Sequence, residues 1–217
     1  MLDVHPPHTP THGWRDFFIH LFTITIGLLI ALSLEGLVEW RHHRHLVHEA
    51  EANMTAEIRH NASGIQDHLK ELHKQQAELS HDLDVLKNIR TTHKMPKDSS
   101  MNVSFGIHGF EDVSWKTAQA TNALSFMPYD HAKDYSDIYA SQTMLTETEQ
   151  TAARDAAVAL SSFYNFDDKD YVPTPEQINP IMDRIAILQG QLLIVDSFMK
   201  GLAGNYDEFL KRHAGTE

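Results

Sequence analysis

The chain has 217 residues, with 18 Lys and Arg against 30 Asp and Glu, 16 His and no Cys. A formal charge of −12 with no long basic run argues against duplex nucleic acid, whose phosphates are held by clustered Lys and Arg. The lack of Cys excludes disulfides, thiolate zinc sites, iron–sulfur clusters and cysteine nucleophiles, and the length suits one moderate domain or a smaller domain beside an anchor.

Residues 1–13 carry His5, His8 and His12 among prolines and are expected to be a disordered tail. Residues 17–34, FFIHLFTITIGLLIALSL, contain no formal charge. Eighteen helical residues rise about 27 Å, nearly the roughly 30 Å of a hydrocarbon core. Trp14 and Trp40 stand where an aromatic belt is expected, with Arg15, Arg41 and Arg44 at headgroup level. Residues 14–40 are therefore predicted to be a single transmembrane helix. A cleaved secretory signal is one competing reading, because Ala31 and Ser33 offer small residues at a cut site, and a buried helix of a soluble protein is the other, though that would be shorter or show a polar stripe; a leading segment with one Arg and no Lys favours an uncleaved anchor.

Inside this span, Gly27 and Ala31 form a small-xxx-small pair suited to close helix association. His20 lies about one turn from the apolar boundary, where it is either an interfacial side chain or a ligand for haem or a pigment metal. Glu35 and Glu39 share a face near the second interface, within reach of headgroup water.

Residues 41–90 are predicted to form a long juxtamembrane helix. Ala62, Ile65, Leu69, Leu72, Gln76, Leu79, Leu83 and Leu86 step by three and four, the seam of a coiled coil or bundle helix. Upstream, Leu46, Ala50, Met54 and Ile58 step by four. Residues 91–112 form a polar connection, and residues 113–213 the remainder of a helical bundle. There Ser114 is a cap for a short helix ending before Pro128. A long helix over 130–163 carries Tyr135, Ile138, Leu145, Ala152, Ala156, Ala159 and Phe163 on one face. Asp167, Asp168, Lys169 and Asp170 make a turn. Thr174, Pro175 and Gln177 combine a capping box with proline at the first helical position. The final helix presents Ile178, Ile181, Ile185, Leu188, Leu192, Val195, Phe198, Leu202, Tyr206 and Phe209, and Gly190, Gly201 and Gly204 within it are expected to permit close packing. The fold class is thus all-α: an N-terminal transmembrane helix continuing into an elongated antiparallel helical bundle, or coiled-coil-like domain, outside the membrane.

Candidate chemistry centres on histidine. Glu39/His42, Glu57/His60 and Glu78/His81 share the Glu-x-x-His spacing of di-iron helices. The heptad reading, however, places Glu57, His60, Glu78 and His81 away from the seam, and ligands in bundle sites point inward. His42, His45 and His48 follow Arg41 densely enough to hold a divalent ion weakly or to become cationic in acid; contact with phosphate headgroups, shared with Arg41 and Arg44, is the simpler role. Trp115 reads as core packing, with a ligand groove as the alternative. Nucleophile elbows, P-loops, dinucleotide fingerprints and HExxH are absent, and no cofactor is expected.

The run Trp14, Arg15, Asp16, Phe17, Phe18, then Ile26, Gly27, Leu28, Leu29, Ile30, Ala31, Leu32, followed by Glu39, Trp40 and the polar helix with Glu57, Ile58 and Asn61, resembles a group of uncharacterised bacterial single-pass membrane proteins. Ser114, Trp115, Lys116, Thr117, Ala118, Gln119 and Ala120, with Met127, Pro128 and Tyr129, resemble the downstream part of acidobacterial members. The resemblance implies an inner-membrane anchor with the helical domain on the periplasmic side, whereas Arg15 before the span against Arg41 and Arg44 after it leans toward a cytoplasmic C-terminal part. The expected function is a non-enzymatic, membrane-anchored scaffold or accessory subunit whose partners are the lipid bilayer and membrane proteins or further copies of itself, without nucleic acid. A sensor stalk, or a histidine-based metal, haem or pigment protein, are the alternatives.

Overall fold

The computed structural model describes residues 13–96, 101, 105–163 and 172–213; the tail histidines His5, His8 and His12 and the turn expected at Asp167, Asp168, Lys169 and Asp170 lie outside the described residues. The chain is all-helical, with no strand among the described residues. Its elements are α1 (Trp14–Thr92), α2 (Val113–Ala120), a 3-10 turn (Ala123–Phe126), α3 (Tyr129–Ser161) and α4 (Pro175–His213). They fall into two compact units, Met1–Glu49 and Ala50–Glu217. The stretches 14–40 and 41–90 that the sequence distinguishes both fall within α1.

In the first unit the apolar residues are exposed on every side of α1, including Phe17, Ile24, Leu29 and Val38. This part of α1 is long and apolar enough to cross a membrane, and its most apolar window is 0% buried. Hydroxyls within it close on their own helix: Thr23 Oγ1 donates to the Ile19 carbonyl at 2.9 Å, Thr25 Oγ1 to Leu21 at 2.8 Å and Ser33 Oγ to Leu29 at 2.7 Å. The same bond to the carbonyl four residues earlier recurs at Thr91, Thr143 and Thr146 in the second unit. α4 also has an apolar window, but 33% of it is buried, against α3 among other neighbours.

The second unit is a bundle of the later part of α1 with α3 and α4. Cross-helix hydrogen bonds set the directions. Asp134 meets Arg212, Gln142 meets Tyr206 and Ser162 meets Arg184, so α3 and α4 are antiparallel. His73 meets Asp196, Ser80 meets Gln189 and Arg90 meets Asn179, so α1 and α4 are antiparallel too. Glu51 meets His131, Thr55 meets Tyr135 and Glu57 meets Tyr139, which makes α1 and α3 parallel. The expectation of antiparallel neighbours throughout is corrected here: the connection after α1 returns along the bundle before α3 begins.

Burial follows the predicted stripes with local shifts. Met54, Ile58, Ile65, Leu69, Leu72, Leu79 and Leu86 are buried on α1, joined by Val85 and Ile89. Gln75 rather than Gln76 is the buried amide, and Asn61 and Asp82 are buried while Ala62 and Leu83 are only partly so. α3 and α4 form the most closely approaching pair of long helices, and Ala152, Ala156 and Ala159 are buried on α3; small side chains let helix axes come together. On α4, Met199 is buried in place of Phe198, which is 38% exposed. Thr174 N donates to Gln177 Oε1 at 2.9 Å, as the capping box requires. The three glycines of α4 are not packing positions: a Cβ at Gly190, Gly201 or Gly204 would meet nothing within 4 Å.

Candidate functional site

In the first unit, Trp40, Arg41, Arg44, His45 and His48 line one hollow in the surface of α1. The Arg44 guanidinium lies over the Trp40 ring, 5.4 Å from its centroid, a cation–π contact that leaves guanidinium N–H groups available to an anion. His42 is not in this set: its ring lies beside that of His43, with centroids 6.1 Å apart, and His43 Nε2 is 3.9 Å from Glu39 Oε1. The predicted trio of His42, His45 and His48 is thus divided. His20, Trp14, Arg15, Gly27 and Ala31 are all exposed along the same helix, and a Cβ at Gly27 would meet nothing within 4 Å. Among the described residues no three His, Asp or Glu side chains converge as a metal cage.

In the second unit the informative region is the segment 105–112, which crosses the bundle and leads into α2. It moves from Gly106, beside Gln75 Nε2, to Ser114, beside Glu57. Its partners on α1 descend from Gln75 through Asn61 to Glu57, so the segment runs antiparallel to α1 in a non-helical course. Such a segment has no hydrogen bonds of its own, so the helices must supply them.

They do so with side chains that interrupt the apolar seams. Asn61 Nδ2 donates to the Glu111 carbonyl at 2.8 Å, and Glu111 N donates to Asn61 Oδ1 at 2.9 Å. From α3, Glu149, fully buried, accepts from His108 N at 3.3 Å and from His108 Nδ1 at 3.0 Å. A carboxylate can only accept, so the His108 proton resides on Nδ1. The His68 ring lies 4.4 Å from that of His108, centroid to centroid. Burial, and then the neighbouring His108, hold the His68 pKa below its ordinary value.

Glu57 is the largest departure from the heptad reading, which placed it outside the seam. It is buried at 7% exposure, accepting from Ser114 N at 2.8 Å and from the Tyr139 hydroxyl at 2.6 Å. Its carboxylate therefore caps α2 from outside. Ser114, the expected cap, instead lies inside the helix, and Asp112 at the cap position makes no side-chain capping bond. Burial, followed by the Glu57 hydrogen bond, raises the Tyr139 pKa far above the usual phenol range. His60 is exposed, 3.6 Å from Glu111, so Glu57 and His60 do not converge as ligands.

Beside this capping site lies a groove of about 300 Å³, lined by Phe110, Asp112, Trp115, Tyr139, Gln142, Thr143, Thr146, Glu147 and Gln150. Trp115 is half-buried and stacks on Tyr139 with centroids 5.0 Å apart and planes 14° from parallel. It is packing surface toward Tyr139 and part of the groove wall on its open side. Gln142 Nε2 donates to the Tyr206 hydroxyl at 2.9 Å. Its buried Oε1 has no donor among the described residues. The burial of Glu57, Asn61 and Glu149 was missed because a polar residue on an apolar stripe looks like an exposed position; their spacing within the stripe was the available signal. No protein-family model matches the chain, and neither a curated protein nor a solved structure matches it.

Proposed function

We propose that this chain is a non-enzymatic, membrane-anchored helical protein, a scaffold or accessory subunit of a larger membrane assembly in the bacterial inner membrane. The observation that carries this reading is the wholly exposed apolar window of α1. Its uncharged run from residue 17 to 34 is exposed among the described residues, and lipid is the solvent that removes the cost of leaving it bare. Trp14 and Trp40 mark its two interfaces, and Arg41 and Arg44 meet headgroup phosphates with His45 and His48 alongside. The likeness to uncharacterised bacterial single-pass proteins supports the same reading and favours a periplasmic helical domain. Docking is supported by apolar side chains left open on α4, among them Ile187 and Leu193 at 57% and 65% exposure.

Alkaline carbonate extraction followed by mild detergent solubilisation tests both parts. The chain is expected to stay in the membrane pellet, then to leave it in detergent together with stoichiometric partner subunits. Release into the aqueous fraction without detergent would overturn the anchor. Purification as a lone monomer from native membranes would overturn the scaffold role.

A further inference from the structure

We propose that the groove beside Trp115 is a binding site for a small organic ammonium ion, a primary amine or polyamine, independent of the membrane role.

The argument starts from what the groove offers. Its wall is aromatic and held in place, because Trp115 stacks on Tyr139 and Tyr139 is fastened by its hydroxyl to Glu57. Its polar groups are mainly acceptors. Thr143 Oγ1 donates its proton to the Tyr139 carbonyl at 2.9 Å, and Thr146 Oγ1 donates to the Gln142 carbonyl at 3.0 Å. Each threonine therefore turns only lone pairs to a ligand. Gln142 lies behind this wall, 4% exposed, with its amide N–H given to the Tyr206 hydroxyl.

Charge points the same way. Asp112 is neutralised by Lys116 at 2.7 Å, whereas the carboxylate of Glu147 has no basic partner among the described residues. A ligand suited to this place donates several hydrogen bonds, carries positive charge and tolerates an aromatic face, which describes an ammonium group. An anion would meet Glu147 and a row of lone pairs. A neutral polyol would leave that carboxylate without a counter-charge.

The test is calorimetric titration of the full chain in mild detergent with methylammonium, putrescine and spermidine, and with 1,4-butanediol as a neutral match for putrescine. Because the chain carries a charge of −12, diffuse attraction must be separated from the site. Glu147→Gln removes the charge in the groove, and Glu71→Gln removes an equal charge from an exposed position on α1. At least one amine is expected to bind saturably, to weaken about tenfold in Glu147→Gln and in Trp115→Leu, and to be unaffected in Glu71→Gln. Melting curves confirm that each variant is folded, and Thr146→Val provides a second probe should Trp115→Leu fail to fold. No saturable heat with any amine up to about 10 mM, equal binding of the diol, or equal losses in the two Glu variants would overturn the proposal. None of these outcomes depends on whether α1 resides in lipid.

Discussion

Asn61 pairs with the main chain of Glu111 as a second strand would, donating to the carbonyl at 2.8 Å and accepting from the N–H at 2.9 Å. One buried amide thereby satisfies both backbone groups of an extended residue that has no sheet neighbour. Asn61→Leu removes both bonds, and the expected loss of stability is about 1–3 kcal/mol. The urea midpoint should fall, and limited proteolysis should begin to cut within residues 105–112. An unchanged midpoint together with an unchanged digestion pattern would contradict this role.

Glu57 and Tyr139 form the second clamp, with 2.6 Å between the hydroxyl and the carboxylate. Tyr139→Phe and Glu57→Gln should each destabilise the chain. Because they act on one shared bond, the double variant should lose less than the sum, with a coupling of about 0.5–3 kcal/mol. Strict additivity in a double-mutant cycle would show that the two side chains stabilise the chain separately.

His68 makes stability depend on pH in a direction set by its lowered pKa. Its neighbours are His108 from the crossing segment, Glu149 from α3, Asp67 on its own helix and the ring of Phe110. The folded state binds the His68 proton less readily than the unfolded chain. Stability from this group is therefore present above the ordinary value of 6.5 and is lost as pH falls through that value toward the folded one. His68→Gln never charges, so the fall in melting temperature between pH 7.5 and 5.5 should be shallower in the variant. Parallel pH profiles would remove His68 from the account.

Arg41 and Arg44 are expected to bind anionic phospholipid beside Trp40. Each basic residue near an anionic surface contributes about 1 kcal/mol, so the pair Arg41→Gln and Arg44→Gln should weaken binding roughly tenfold or more. Titration of the detergent-solubilised chain with a short-chain phosphatidylglycerol reads this directly. The zwitterionic phosphatidylcholine analogue, which has the phosphate but no net charge, should lose much less, and equal losses for both lipids would argue against recognition of the anionic headgroup charge.

Much of the architecture could be read from spacing alone. A helix buries one face, so Ile178, Ile181, Ile185, Leu188 and Leu192 declared α4, and Thr174 with Gln177 declared its start. The apolar run near the beginning was equally legible, because eighteen uncharged residues need no partner to identify them. Phe198 and Met199 exchanged roles because neighbouring positions on a long helix differ by only a fraction of a turn, and packing settles which one turns inward.

What the sequence by itself determined was local: which stretches are helical, where α4 is capped, and which stretch is long and apolar enough to cross a membrane. Tertiary structure alone decided that α1 and α3 run parallel, and that Glu57, Asn61 and Glu149 belong inside. The reason is that an extended segment leaves its backbone bonds open, and contacts between residues 41 to 57 positions apart, such as His108 with Glu149, Asn61 with Glu111 and Glu57 with Ser114, close them. Helical periodicity records the faces a helix turns to apolar neighbours; it carries no mark of the polar groups that another part of the chain will require.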